Sequence, residues 1–124
     1  MKVVWMRTND AGQTEFVDLE FETSAHPRGM ETPAVPTHGV IFRTAQPAVE
    51  MDFHNAPRRQ FVIPITGEVT VASGDGDQRH IRPGTALLAD DLTGQGHTSV
   101  FGPDDATMMF LLLDDGFDPQ AFAR

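Results

Sequence analysis

Short segments in which apolar and polar residues alternate, each closed by glycine or proline, run through almost the whole chain. Alternation with a period of two is typical of β-strands, whose successive side chains point to opposite faces. No segment of helical length repeats its apolar residues at helical spacing. Strands are predicted at residues 2–7, 15–22, 39–44, 48–54, 60–65, 68–72, 79–82, 85–89, 97–101 and 107–113. Strands this short and regularly spaced predict an all-β sandwich or barrel.

The connections between these strands carry the residues that turns require. Ser73-Gly-Asp-Gly-Asp77 predicts a tight hairpin, because glycine and aspartate tolerate the backbone angles of such loops. Three prolines and a glycine fall within residues 25–37, which predicts an extended surface crossing without regular strand pairing. Asp118 followed by Pro119 predicts a capped helical turn at residues 119–123.

A chain of 124 residues with 40% hydrophobic content is expected to form one domain over residues 1–124. We expect N-terminal strands and the proline-rich crossing in residues 1–38. The barrel core is predicted in residues 39–113, followed by a tail in residues 114–124. No repeat or linker divides the chain.

Charge and composition restrict the classes of partner. Nine Lys and Arg residues against 18 Asp and Glu residues give a formal net charge of −9, so we expect no nucleic-acid partner. The longest apolar run, residues 108–113, is far shorter than the roughly 18 residues of a membrane helix, so no membrane partner is expected. The first residues lack the apolar segment of a secretory signal, and the chain has no cysteine. Both observations favour the cytoplasm.

The residues around His54 alternate between two kinds of side chain. Glu50, Asp52 and His54 fall on one face of the predicted strand, and the apolar Met51 and Phe53 fall on the other. Two interpretations stay open. His54 either points into a cavity or is a surface residue at the end of the strand, with both carboxylates in water.

Two short motifs containing histidine and glycine lie in the middle of the chain. The first runs His54-Asn-Ala-Pro-Arg-Arg-Gln60 and continues to a turn at Gly67. The second joins Pro83-Gly84 to Gly94-Gln-Gly-His97. Together they resemble the two motifs of the cupin superfamily, which are small jelly-roll barrels. The resemblance covers residues 39–113 and implies a double-stranded β-helix, or jelly-roll barrel, around a cavity.

The same motifs depart from the cupin pattern at two positions. Ala56 stands where cupins have a second histidine, and Gln60 stands at their glutamate. The resemblance implies a divalent transition metal (Fe, Mn, Ni or Zn) held by His54 and His97, with Gln60 contributing its carbonyl oxygen. A neutral amide binds such an ion less well than a carboxylate, so weak or absent metal binding is the alternative.

Charged residues near the motifs complete the candidate site. Glu50 or Asp52 is the alternative third metal ligand, which would make a two-histidine, one-carboxylate site. Arg43 and Arg58, with Asp52 and Glu50, are candidates for binding a substrate at the rim of the cavity. The competing interpretation is that the arginines form internal ion pairs with Asp52, Glu50 or Glu68, and we favour it for Arg59.

Three functions are consistent with these residues. The resemblance implies a metal-dependent dioxygenase or isomerase acting on a small organic molecule. A non-catalytic module that binds or senses a small ligand would use the same cavity without a tightly bound metal. The third is metal-free acid–base catalysis by His54 or His97.

The resemblance also implies a homodimer. Cupins pair through a sheet face or an exchanged N-terminal strand, and one apolar set suits such an interface: Val3, Trp5, Val17, Leu19 and Phe21. The same residues are equally suited to the core.

Overall fold

The computed structural model describes residues 1–46 and 50–123, and most of them lie in β-strands. The strands are β1 (Lys2–Thr8), β2 (Thr14–Glu20), β3 (Ser24–His26), β4 (Gly29–Glu31), β5 (Thr37–Ala45), β6 (Glu50–His54), β7 (Gln60–Thr66), β8 (Val69–Ala72), β9 (Gln78–Ile81), β10 (Ala86–Asp90), β11 (His97–Phe101) and β12 (Ala106–Leu113). The all-β prediction is confirmed. The strand predicted at residues 48–54 corresponds to β6, and its predicted first two residues, 48 and 49, lie outside the described residues. Within the described part of the chain, no helix has the length and apolar character needed to cross a bilayer.

The long strands form two sheets. One has six strands in the order β2-β1-β10-β7-β12-β5, and the other has four in the order β6-β11-β8-β9. Only β1 and β10 pair in parallel among the described strands. Two such sheets with mixed and antiparallel pairing are consistent with an all-β barrel or jelly roll.

The central strands of the six-stranded sheet, β7 and β10, are buried on both faces along most of their length, because their successive residues join different apolar clusters. Val62 and Leu87 belong to a cluster that also contains Val71 of the four-stranded sheet, so this cluster fills the space between the sheets. Their neighbours Phe61 and Leu88 belong to a second cluster on the opposite side. We call these two sides the inner face and the outer face. Central strands with two buried faces show continuous apolar runs rather than a polar–apolar alternation.

The C-terminal segment covers part of the outer face. The ring centroid of Phe117 lies 5.9 Å from that of Phe61 and 5.3 Å from that of Phe122. The predicted turn is present as a 3₁₀ helix, Pro119–Ala121, and the side chain of Asp118 accepts a hydrogen bond from the Gln120 amide at 3.0 Å. The cap therefore holds the aromatic residues of the tail against the sheet.

The residues that suited a dimer interface are mostly part of this outer core. Val3 and Phe21 are 2% and 3% exposed. Trp5 and Leu19 pack against the same cluster. Their interpretation as core is the one that the structure supports.

One connection differs from its prediction. Residues 25–37 were expected to cross the surface without pairing, yet β3 and β4 form a small antiparallel hairpin there. The hairpin is compatible with the local sequence because Pro27 lies in the turn, where its missing N–H costs no strand hydrogen bond. Gly29 follows with a φ of +147°, which favours glycine.

The predicted hairpin turn between β8 and β9 is present and is closed by one carboxylate. Asp75 Oδ1 accepts hydrogen bonds from the Ser73 hydroxyl and from the Asp77 amide. The Ser73 hydroxyl, followed by the Asp77 amide, holds the pKa of Asp75 below its ordinary value of 3.8. The turn is thus stabilised by the ionised form of an exposed side chain.

This turn makes a small pH effect on stability predictable. Because folding lowers the pKa of Asp75, its contribution is complete above the ordinary value and is lost as the pH falls through the lower, folded-state value. We expect Asp75→Asn to lower the Tm slightly near neutral pH, with the difference disappearing in strong acid. Calorimetry of both proteins across the acid range checks this. A Tm difference that does not change with pH would contradict it.

Candidate functional site

A cavity of about 150 Å³ lies between the two sheets. It is bounded by strands of both sheets and by the segment that joins β6 to β7. Most of its lining is apolar: Met6, Met51, Ala56, Pro57, Val62, Val69, Val71, Leu87, Ala89, Phe101 and Phe110. The polar lining residues are Arg43, His54, Gln60, His97 and Ser99.

The two motif histidines meet at this cavity. His54 ends β6, His97 begins β11, and the two residues face each other in the antiparallel register. Their ring centroids are 4.4 Å apart. Nδ1 of His54 lies 2.8 Å from the carbonyl oxygen of Asp52 in the same strand. Because a carbonyl oxygen can only accept a hydrogen bond, Nδ1 is the donor. In neutral His54 the lone pair is therefore on Nε2.

A β-bulge places His54 on the face opposite to the one that alternation predicts for it. Ser99 pairs with Met51 and His97 pairs with His54, so β6 contains one residue more than β11 between the two pairs. An extra residue reverses which face the following side chain joins. His54 consequently lines the cavity together with Met51.

The two carboxylates of β6 lie elsewhere. Glu50 and Asp52 line a separate depression together with Thr70, Gln78 and Thr98. The structure therefore does not bring either carboxylate to the two imidazoles, although the three side chains were expected to share a face.

The sequence reasoning missed the carboxylate that does reach the histidines. Asp91 is fully buried, and its Oδ2 accepts a hydrogen bond from His97 Nδ1 at 2.6 Å. The same oxygen accepts from the Thr14 hydroxyl at 2.8 Å, and Oδ1 lies 3.3 Å from the Ala56 amide. Two consecutive aspartates at the end of the apolar β10, Asp90 and Asp91, were the available signal, since a charged residue that ends a buried strand needs partners inside the protein.

Two local features hold this arrangement. The Asn55 side-chain amide lies within hydrogen-bond distance of the carbonyls of Asp91 and Thr93, at 3.2 and 3.0 Å. Gly96 has a φ of +80°, and a Cβ at this position would overlap the carbonyl of His54. The glycine before His97 therefore allows the two histidine-bearing strands to approach each other.

The remaining candidate residues differ in whether they line the cavity. Gln60 lines the cavity and is 4% exposed, and its Oε1 accepts a hydrogen bond from Arg58 Nη1 at 2.9 Å. Arg58 is not among the lining residues. Arg43 lies at the rim, where its guanidinium is 4.6 Å from the ring centroid of Phe110.

Arg59 forms an ion pair away from the cavity. It was expected to pair with Asp52, Glu50 or Glu68, but its Nε donates to Asp90 at 2.7 Å. Glu68 instead lies 3.2 Å from Arg82. The expectation was wrong because β7 pairs with β10, which brings Asp90 beside Arg59.

The donor set does not fit a tightly held transition metal. Among the described residues, no group of three or more His, Cys, Asp or Glu side chains could hold an ion. The Gln60 oxygen already accepts from a cationic guanidinium, and Asp91 is engaged by His97. No buried side-chain nitrogen or oxygen of residues 1–46 and 50–123 lacks a hydrogen-bond partner. Two imidazoles are fewer than the three protein ligands that catalytic zinc sites use.

The comparisons with known proteins give no indication of what this protein does. No protein-family model matches the sequence, and no curated protein matches it. Among solved structures, the chain is similar to protein NMB1881 from Neisseria meningitidis, at 15% identity and a TM-score of 0.47. That likeness covers 68% of this chain and 83% of the other.

Proposed function

We propose that the cavity binds a small, largely apolar carbonyl compound and that His97 moves a proton to or from it without a metal ion. The observation that carries the proposal is the 2.6 Å hydrogen bond from His97 to the buried Asp91, at the wall of an apolar cavity. A histidine oriented by a buried carboxylate is a recurrent arrangement for general acid–base catalysis.

The hydrogen bonds at the two Nδ1 atoms support a separate role for each Nε2 atom. Asp91 accepts the Nδ1 proton of His97, so neutral His97 has its lone pair on Nε2. When Nε2 takes a proton, the adjacent carboxylate stabilises the resulting imidazolium. The Nδ1 proton of His54 is also hydrogen-bonded, to the carbonyl oxygen of Asp52. In its protonated form, His54 would donate from Nε2 to the oxygen of the bound molecule and so stabilise an enolate.

The cavity limits the size and polarity of the ligand. Its volume of about 150 Å³ equals that of cavities that hold a benzene-sized molecule. The apolar walls favour a hydrocarbon body, and the His54 imidazole offers a hydrogen bond to one oxygen group of the ligand. The positive charge of Arg43 at the rim disfavours a cationic ligand relative to a neutral or singly negative one.

Hydrogen–deuterium exchange tests this without knowledge of the natural substrate. Cyclohexanone fits the size limit, and its α-protons can be followed by NMR in D₂O. We expect the protein to accelerate their exchange, and His97→Gln to reduce the acceleration by about 10²–10⁴-fold. His38→Gln is the matched control, because exposed His38 also pairs with a carboxylate, Asp114, at 2.7 Å. The acceleration should survive exhaustive chelation.

Three results would count against the proposal. Absence of acceleration, or equal rates for His97→Gln and His38→Gln, would remove the catalytic role. Saturable cyclohexanone binding without exchange would instead support a non-catalytic binding module.

The metal-dependent dioxygenase or isomerase that the cupin resemblance implies is the alternative. One observation favours it: Nδ1 of His54 and Nδ1 of His97 are both hydrogen-bonded within the protein, and a histidine that binds a metal through one ring nitrogen usually donates from the other in this way. Calorimetric titration with Fe, Mn, Ni or Zn ions distinguishes the two. Tight binding that His54→Gln abolishes, together with exchange that chelators stop, would replace the metal-free proposal.

A further inference from the structure

The side-chain amide of Gln60 is fixed in one orientation. Its Oε1 atom lies 2.9 Å from Nη1 of Arg58. A guanidinium only donates hydrogen bonds, so the amide atom that faces it is the oxygen, and the NH₂ group is turned away from Arg58. The backbone of Gln60 is held as well, because it pairs with Ala89 on one side and with Leu112 on the other. Gln60 therefore has a donor group available, and its oxygen is already occupied.

The NH₂ group of Gln60 borders the cavity. In residues 1–46 and 50–123, Nε2 of Gln60 has no hydrogen-bond partner. Every buried side-chain nitrogen and oxygen of those residues has a partner, so this Nε2 atom must border open space. Gln60 is only 4% exposed and lines the cavity, which is that space. A free donor in a mostly apolar cavity is a binding group for an acceptor atom of a ligand.

This donor lies at the end of the cavity where His97 is held. Gln60 pairs with Ala89 of β10, and Asp91, which binds His97, comes two residues after Ala89. Side chains two residues apart along an extended chain point to the same side. Gln60 approaches the cavity from the six-stranded sheet, whereas His54 and His97 approach it from the four-stranded sheet. A molecule bound between the sheets therefore meets the amide on one side and the imidazoles on the other.

We propose that Gln60 selects the ligand by donating a hydrogen bond from Nε2 to its carbonyl oxygen, and that Arg58 positions the amide for this contact. This role rests on the proposed function for the chemical class of the ligand, and it supplies a donor that needs no prior proton transfer. In their neutral forms His54 and His97 present only lone pairs to the cavity, because Nδ1 carries the proton in both rings. Neither neutral ring can donate to a carbonyl group, and the Gln60 amide can.

The other polar lining residues do not replace Gln60 in this role. The Ser99 hydroxyl both donates and accepts, so it does not select for an acceptor. Arg43 is exposed at the rim, and its guanidinium lies over the ring of Phe110. The Gln60 amide is also a strengthened donor, because its oxygen accepts from a cation and the amide is polarised by that contact. The site therefore favours a carbonyl compound over a hydrocarbon of the same shape.

NMR of the side-chain amide tests this contact in the unaltered protein. The Gln60 NH₂ signals in a ¹H–¹⁵N correlation spectrum are assigned by triple-resonance experiments. We expect cyclohexanone to shift these signals downfield and saturably, because a new hydrogen bond deshields the donated proton. Cyclohexene has the same ring without an oxygen, so it should bind in the cavity and leave the signals nearly unchanged.

Affinity measurements on variants test the selection of the oxygen. Gln60→Met keeps the length of the side chain and removes the donor. We expect it to raise the dissociation constant of cyclohexanone by about 5–10-fold, and that of cyclohexene by less than about twofold. Arg58→Ala frees the amide to turn, so it should raise the cyclohexanone constant by only about two- to threefold. Gln78→Met is the matched control, because Gln78 is exposed and lines the separate depression. Circular dichroism verifies that each variant is folded.

The outcomes distinguish the role of Gln60 from the proposed proton transfer. If cyclohexanone shifts the Gln60 signals but its α-protons do not exchange, the recognition role stands and the proton transfer by His97 does not. If exchange occurs but Gln60→Met binds cyclohexanone as tightly as the wild type, the role of Gln60 is overturned and the proton transfer stands. Saturation with cyclohexanone that leaves the Gln60 signals in place would also overturn the role of Gln60. Absence of any cyclohexanone binding would overturn both.

Discussion

Replacement of Arg59 by alanine is expected to lower the free energy of unfolding by about 3–5 kcal/mol. Arg59 and Asp90 are only 12% and 15% exposed and form two hydrogen bonds, at 2.7 and 3.2 Å. Nη1 of Arg59 also donates to the carbonyl of Asp115 at 2.9 Å. Without the guanidinium, the one side-chain donor left to Asp90 among the residues that the structure describes is the Trp5 indole, and a largely buried charge is poorly compensated.

The chain offers a matched control for this ion pair. Arg79 binds Asp18 through two nitrogens at 3.1 Å, but Asp18 is 67% exposed. We therefore expect Arg79→Ala to cost no more than about 1 kcal/mol. Urea unfolding followed by circular dichroism measures both variants. Equal losses for the two variants would show that burial does not decide the strength of the Arg59 pair.

Asp91→Asn is expected to reduce the exchange of cyclohexanone protons by about 10²–10⁴-fold while leaving the fold intact. The carboxylate of Asp91 holds the His97 proton on Nδ1 at 2.6 Å, which leaves the Nε2 lone pair for the bound molecule. The asparagine NH₂ group would donate to Nδ1 and move the ring proton to Nε2. The loss therefore follows from the wrong tautomer rather than from a missing residue.

One measurement and one control variant isolate that cause. The ¹⁵N chemical shifts of the His97 ring report which nitrogen carries the proton, with or without a ligand. Asp114→Asn is the control, because Asp114 accepts from the exposed His38 at 2.7 Å and should affect neither the shifts nor the rate. An Asp91→Asn protein that keeps both the His97 tautomer and the wild-type rate would contradict the assignment.

The strands and the two histidines could be predicted from local patterns. Alternation located most strands within a few residues, and the turn at residues 73–77 predicted the hairpin that β8 and β9 form. The motif resemblance implied that His54 and His97 lie at one cavity, and the register of β6 and β11 is what brings them together. The carboxylates assigned to the same face were misplaced, because one bulge residue reverses the alternation before His54.

The partners of the buried charges could not be predicted in this way. Asp91 receives hydrogen bonds from His97, six residues away, and from Thr14, which is 77 residues away. Arg59 pairs with Asp90 only because β7 and β10 are neighbours in the sheet. Their place at the end of an apolar strand indicates that these carboxylates need partners inside the protein, but nothing in the spacing along the chain identifies those partners.

Period-two alternation and turn-forming residues determined the β-class of this protein, because both are properties of a few consecutive residues. Strand order, the bulge in β6 and the choice between equivalent carboxylates were decided only by the tertiary structure. These depend on which distant strands lie side by side and on which charged groups find hydrogen-bond donors when water is excluded.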